Sequence, residues 1–225
     1  MRQSLLGRLL RAIIARRGSI IAPLARNWQR ELKALRDTRS QTQLLLTDPA
    51  ALHILVCARA ARKLSGAYAE AGVFMGGSAR LICEEKGGAA LHLFDVFELL
   101  QHTEIAGAEQ VRDHFGSVHG RLAEARRLLS PYPNVHFHPG LFPDTTAGLE
   151  DLRFSFVHLD LDLPAPTHAA LKFFHPRLVP GGILIGDDYG DPDLRRCFET
   201  WFSDHRDTLI ELPWSQVMVI RQAGS

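Results

Sequence analysis

Phe154-Ser-Phe-Val-His-Leu-Asp160-Leu-Asp162 and Gly181-Gly-Ile-Leu-Ile-Gly-Asp187-Asp188 decide how the chain is read. Each is a short apolar run that closes on carboxylates. Runs without polar alternation suit strands buried on both faces, as in a parallel sheet. The aspartates then emerge where the strands end, and carboxylates held that close repel one another unless a cation or proton sits among them. Hard oxygen donors suit Mg²⁺ or Ca²⁺ rather than zinc, so a metal-assisted site competes with plain helix capping and loop solvation.

Outward from these strands the pattern alternates. Asp48-Pro49 opens a helix to about residue 63, with Asp48 as its cap. The spacing predicts strands over 67–73, 90–95, 135–138, 154–161 and 183–187. Helices are expected over 77–86, 168–177 and 193–205, with a weaker stretch to about 129 that is interrupted near Gly116 and Gly120. Asp191-Pro192 starts the helix at 193. Two last strands, 208–212 and 216–221, flank a Pro213-Trp214 turn, so the final strand is expected to be antiparallel. Strands alternating with helices imply β-α-β units in a doubly wound α/β sheet.

The chain has 225 residues, 46% hydrophobic and 23% charged, enough for one α/β domain and a small extension. Cys57, Cys83 and Cys197 form no CxxC pair, which argues against a zinc site or disulfide framework and for a reducing, cytoplasmic setting. No apolar run reaches the roughly 20 residues of a membrane span. Residues 1–40 carry a net charge of +8 and the remainder −7. The expected division is a helical, Arg-rich arm over 1–47 and a catalytic domain over 48–225. Leu5, Leu6, Leu9, Leu10, Ile13 and Ile14 recur at helix spacing between arginines, and 23–36 is helix-like too. That stripe suits packing on its own domain, a homo-oligomer contact, or peripheral contact with an anionic membrane. The acidic body argues against a nucleic-acid partner.

Glu70-Ala-Gly72-Val-Phe-Met-Gly76-Gly77-Ser78 stands where the first strand turns into a helix, the place where open α/β sheets bind ligands. Glycine lets the backbone approach a ligand, and the helix start offers N–H groups to an anion. Asp95, ending the second strand, suits a ribose diol. Phe74 occupies a position that the dinucleotide fingerprint gives to glycine. Glu70 would oppose a pyrophosphate but suits an ammonium, so the turn favours S-adenosylmethionine over NAD. An NAD-dependent oxidoreductase and a non-catalytic binding module are the competing readings.

The glycine turn resembles that of the macrocin O-methyltransferase family, which includes mycinamicin and novobiocin sugar methyltransferases. The likeness continues through Phe94-Asp95-Val-Phe97-Glu98, Gly140-Leu-Phe142-Pro143-Asp144-Thr145, His158-Leu-Asp160-Leu-Asp162 with Thr167, and Pro180 to Tyr189. The resemblance implies a Rossmann-like class I methyltransferase with a mostly parallel seven-stranded sheet and helices on both faces. It implies methyl transfer from S-adenosylmethionine to a small-molecule hydroxyl, a sugar or glycosylated natural product. Glu70, Gly72, Gly76, Gly77, Ser78, Asp95 and Asp160 would bind that cofactor; Asp160, Asp187 and Asp188 would bind Mg²⁺. Asp160 or Asp162 would serve as the base. Pro164 departs from the family's usual tyrosine, the stretch after Asp95 looks short, and the arm is unusual. His158 reads as a satisfied core histidine, and His102 as a loop residue.

Overall fold

The computed structural model describes residues 28–98 and 121–224. Ala34–Ser225 form one compact unit and Met1–Lys33 another. The striped segment 5–14, His102 and the interrupted helix near Gly116 and Gly120 lie outside the described residues.

The elements are α1 (Gln29–Arg39), α2 (Asp48–Ala61), β1 (Ala67–Ala71), α3 (Gly77–Glu85), β2 (Leu91–Asp95), α4 (Arg121–Leu129), β3 (Val135–Pro139), β4 (Phe154–Leu159), α5 (Pro164–Phe174), β5 (Leu178–Gly186), α6 (Pro192–Phe202), β6 (Leu209–Leu212) and β7 (Gln216–Ile220). The seven strands lie in the order β3-β2-β1-β4-β5-β7-β6. β1 to β5 pair in parallel, while β7 runs antiparallel to both β5 and β6, as the missing helix before it implied.

The central strands explain the unbroken apolar runs. All six residues of β4 are buried, because helices cover both faces of the sheet. One core layer joins Tyr68 and Phe156 to Ile54, Leu55, Leu81 and Ile82 from α2 and α3. The other joins Ala69 and Val157 to Leu171, Phe174, Phe198 and Phe202 from α5 and α6. Residues 68 and 69, like 156 and 157, therefore point to opposite layers, as strand pleating requires. The edge strands β3 and β6 are only partly buried.

Three of the boundaries that differ from expectation have a clear physical reason. Thr47, not Asp48, caps α2: its hydroxyl accepts from Ala50 N, while Asp48 in the first turn receives Arg39 Nη2 at 2.8 Å. α5 starts at Pro164, because proline at a helix's first position gives up no hydrogen bond there. β5 starts at Leu178: Gly181 N donates to Arg221 O and Arg221 N to Gly182 O, carrying the sheet through a glycine pair that precedes the expected strand.

Candidate functional site

The sheet reverses its winding between β1 and β4, and the site stands at the carboxyl ends of these strands and of β5. Backbone bonds clamp the three ends together. Asp160 N donates to Ala71 O at 2.8 Å and Asp187 N to Leu159 O at 2.8 Å. Gly72 makes this approach possible. Its φ is +88°, and a Cβ there would stand 1.6 Å from the Asp160 carbonyl oxygen. Glycine is thus required by the neighbouring strand, before any ligand is considered.

Asp95 holds the turn that follows. Its Oδ2 accepts from Val73 N at 2.7 Å and Phe74 N at 2.8 Å, and its Oδ1 from Phe97 N at 2.5 Å. A carboxylate has about four acceptor positions; three are engaged, leaving one for a ligand. Gly76, with φ +86°, starts α3 without a side-chain cap, so the first N–H groups of that helix have no side-chain acceptor of its own.

The aspartates lie in two overlapping groups. His158, Asp160 and Asp187 place potential ligand atoms within 4.8 Å of one another, and so do Asp160, Asp162 and Asp188. Asp160 belongs to both. The three carboxylates that the resemblance assigns to a metal are thus divided between the groups, and His158 and Asp162 join them. Asp162 and Asp188 adopt left-handed backbone conformations, φ 58° and 55°, which aspartate tolerates better than most residues.

Burial and crowding raise the pKa values of these carboxyls. Burial first, then repulsion from Asp187, Asp162, Asp188 and Glu70, pushes Asp160 well above the ordinary carboxylate range. Asp162 rises to about 7, through burial and then the charge and hydrogen bond of Asp188. Asp187 rises to about 6, from burial and Asp188, opposed by His158. The Gln216 side chain also opposes the rise.

Beneath the aspartates lies a fully buried pair, with His158 Nδ1 2.7 Å from Glu70 Oε1. Glu70 Oε2 and His158 Nε2 have no hydrogen-bond partner among the described residues. Glu70 is absent from the cavity wall, so the structure does not bring it to the ammonium expected from sequence. Its carboxyl turns instead to the strand beside it.

The cavity itself is about 830 Å³. Gly72, Gly77, Ser78, Asp95, Asp160, Asp162, Asp187 and Asp188 line it; Gly76 sets the helix start just behind. Phe142, from the 140–145 stretch, also lines it, while sequence reasoning missed Leu44 to Leu46 before α2, Arg121 and the place of the Trp214-Ser215 turn. Trp214 and Ser215 both have positive φ, 63° and 66°, which folds the β6–β7 turn tightly. The Pro213-Trp214 turn was visible in sequence, but not that sheet order would bring it beside β5.

The donor set fits a hard divalent cation: several carboxylates raised by mutual repulsion, whose charges a cation would neutralise. The wall fits an adenosyl cofactor in having an uncapped helix start, a close-approach glycine turn and a carboxylate with one acceptor position left.

Comparison with known proteins gives the following. The family model described as Macrocin-O-methyltransferase (TylF) matches residues 50–219. A Streptomyces olivaceus protein, 8-demethyl-8-(2,3-dimethoxy-alpha-L-rhamnosyl)-tetracenomycin-C 4'-O-methyltransferase, is 33% identical over 141 residues, 55% of this chain and 53% of that one. Mycinamicin III 3''-O-methyltransferase of Micromonospora griseorubida is 33% identical over 97 residues, 40% of this chain and 38% of that one. The matches thus span about half or less of these relatives' length. Among solved structures, the O-methyltransferase NovP superposes with a TM-score of 0.66 at 22% identity, covering 77% of this chain and 79% of that one. The calicheamicin methyltransferase CalS11 gives 0.63 at 15% identity, covering 100% and 95%. At such identities the likeness is one of fold.

Proposed function

The chain belongs to the macrocin O-methyltransferase family, and from that premise we propose that it transfers a methyl group from S-adenosylmethionine to a small-molecule hydroxyl. The acceptor in this reading is a sugar or a glycosylated natural product, the class named for the relatives above. The observation that carries it is one cavity shared by the glycine turn and four aspartates. A nicotinamide reading leaves those aspartates without a role, and so does a non-catalytic module.

Gly72, Gly77 and Ser78 form the wall against which the cofactor would lie, with Gly76 setting the helix start behind them. Asp95 offers its last acceptor position to a ribose hydroxyl. Asp160, Asp187 and Asp188 would hold Mg²⁺ or a similar cation, which when bound lowers the pKa of an acceptor hydroxyl and orients it. S-adenosylmethionine, when bound, would supply an activated methyl to the acceptor hydroxyl, with the thioether as leaving group and the hydroxyl proton released. The proton goes to Asp162 or Asp160. Asp162 shares one cluster with Asp160 and Asp188, and a positioned base contributes about 10²–10⁴-fold. Phe142 and Trp214 give the acceptor side of the cavity apolar surface against which a sugar ring can stack.

No helix of the described residues is long and apolar enough to cross a membrane. Self-association or peripheral membrane contact through residues 1–40 belongs to the proposal; sedimentation and anionic-vesicle flotation of the full chain against a variant lacking residues 1–40 test it. The central test is S-adenosylhomocysteine release against a panel of glycosides, catechols and hydroxylated lipids, with Mg²⁺ and with EDTA. Turnover of a glycoside that needs the cation is expected. Saturable NAD binding with no response to S-adenosylmethionine overturns the reading.

A further inference from the structure

His158 read from sequence as a satisfied core histidine, yet only half of its ring is satisfied. The side chain is fully buried, as is Glu70. An ionised carboxylate can only accept, so the 2.7 Å contact makes Nδ1 the donor to Glu70 Oε1. In the neutral ring Nε2 is then left with its lone pair, and it has no hydrogen-bond partner among the described residues. A buried polar atom without a partner costs about 1–3 kcal/mol. The ring also lies with Asp160 and Asp187, its ligand atom within 4.8 Å of theirs. Histidines that bind metals almost always donate their other N–H to a carboxylate, which fixes the tautomer and strengthens the donor. Glu70 stands in that relation to His158.

We propose that His158 Nε2 is a nitrogen ligand to the cation held by Asp160 and Asp187, with Glu70 as the positioning residue that orients the imidazole. This rests on the reading above that the aspartates take a divalent cation, and adds to it a donor outside the carboxylate set. The consequence is selectivity. Mg²⁺ favours oxygen donors, whereas imidazole suits first-row transition metals, so Mn²⁺ should bind more than about tenfold tighter than Mg²⁺. Glu70 also acquires a role that its absence from the cavity wall had removed. It serves the cation site from beneath instead of meeting the cofactor.

The test uses the full chain with Mn²⁺ as the probe. Pulsed electron paramagnetic resonance of the wild-type complex should show ¹⁴N modulation from a bound imidazole, and its absence overturns the proposal. His158→Asn should lose that modulation and weaken Mn²⁺ about 10–100-fold; modulation that persists overturns it, since another histidine then coordinates. Should the variant not fold, wild-type protein labelled with ¹⁵N-histidine and loaded with ¹¹³Cd²⁺ decides. One imidazole, with Nδ1–H held by a carboxylate, should show direct Nε2–Cd coupling, and no coupled ring overturns the assignment. Glu70→Gln should keep the modulation while weakening Mn²⁺ about tenfold or more, and unchanged affinity overturns the positioning role. A protein that binds no Mn²⁺ overturns the inference as a whole. S-adenosylhomocysteine release then decides the methyltransferase reading separately.

Discussion

Replacing Asp187 by asparagine should stabilise the cation-free protein while removing its response to cations. In the unfolded chain this carboxyl ionises near its ordinary value of 3.8, but in the folded protein only at about 6. Between those values the folded form holds the extra proton, so stability falls as pH rises, and the full cost stands above about pH 7. The difference corresponds to roughly 3 kcal/mol at 1.36 kcal/mol per unit. Partial exposure and a repulsion shared among neighbouring carboxylates reduce it to about 1–2 kcal/mol. Asparagine retains the oxygen that accepts from Asp188 N at 3.1 Å, so the backbone turn keeps its bond. Urea denaturation in EDTA should therefore show Asp187→Asn about 1–2 kcal/mol more stable than wild type at pH 8, or roughly 2–8 °C in melting temperature. At pH 5, between the two acidity constants, that gain should fall by about half. Adding Mg²⁺ should stabilise the wild type and not the variant. A variant less stable than wild type at pH 8, or a gain equal at both pH values, refutes the reasoning.

Three further outcomes follow from the same geometry. Gly72→Ala places a methyl 1.6 Å from the Asp160 carbonyl at a φ of +88°, so the β1 and β4 ends must part; a loss of about 3 kcal/mol or more is expected by urea titration. Asp207 pairs with His175 Nε2 and Arg221 Nη1, each at 2.8 Å, and accepts from Gln222 N at 2.6 Å. Asp207→Ala should cost about 3 kcal/mol, because it removes the buried carboxylate at the centre of this network, with turnover per folded molecule unchanged. Mn²⁺ affinity should climb between pH 5 and pH 8, because cation binding must displace the protons that Asp187 and Asp162 retain up to about 6 and 7; calorimetry in buffers of different ionisation enthalpy should register proton release.

Much of the fold was legible because its strands are buried on both faces, which leaves continuous apolar runs such as 154–159. Helix starts were less so. Thr47 and Asp48 are both capping residues, and what separates their roles is the bond from Ala50 N to Thr47 and the contact of Arg39 with Asp48. At β5, the pairing of Gly181 and Gly182 with Arg221 depends on a strand far along the chain, which local glycine signals cannot foretell. The aspartates were legible as a group because they end adjacent parallel strands. How they divide was not, since that depends on the left-handed turns at Asp162 and Asp188. Glu70 and Gly72 are near neighbours in sequence, yet the first is sealed in the sheet while the second opens on the cavity. A motif read as a single ligand-binding string hides this difference in depth.

The way the carboxylates are mounted also explains why their repulsion does not simply push them apart. Flexible loops would let four aspartates separate into solvent at little cost, and their acidity constants would then stay near ordinary values. Here the Asp160 and Asp187 amides are each bonded to the neighbouring strand, at Ala71 O and Leu159 O. Gly72 lets β1 approach β4 closely enough to keep the first of these bonds. Asp95 draws the following turn inward with three backbone donors. The strand ends thus fix the separations before any ligand arrives, and the repulsion stays unrelieved in the cation-free protein. A cation that enters therefore meets donors already in place and loses little to reorganisation, which is the condition for a site that orients a reacting oxygen. The same rigidity makes the cost of the empty site measurable as pH-dependent stability, so turnover and unfolding report on one set of distances.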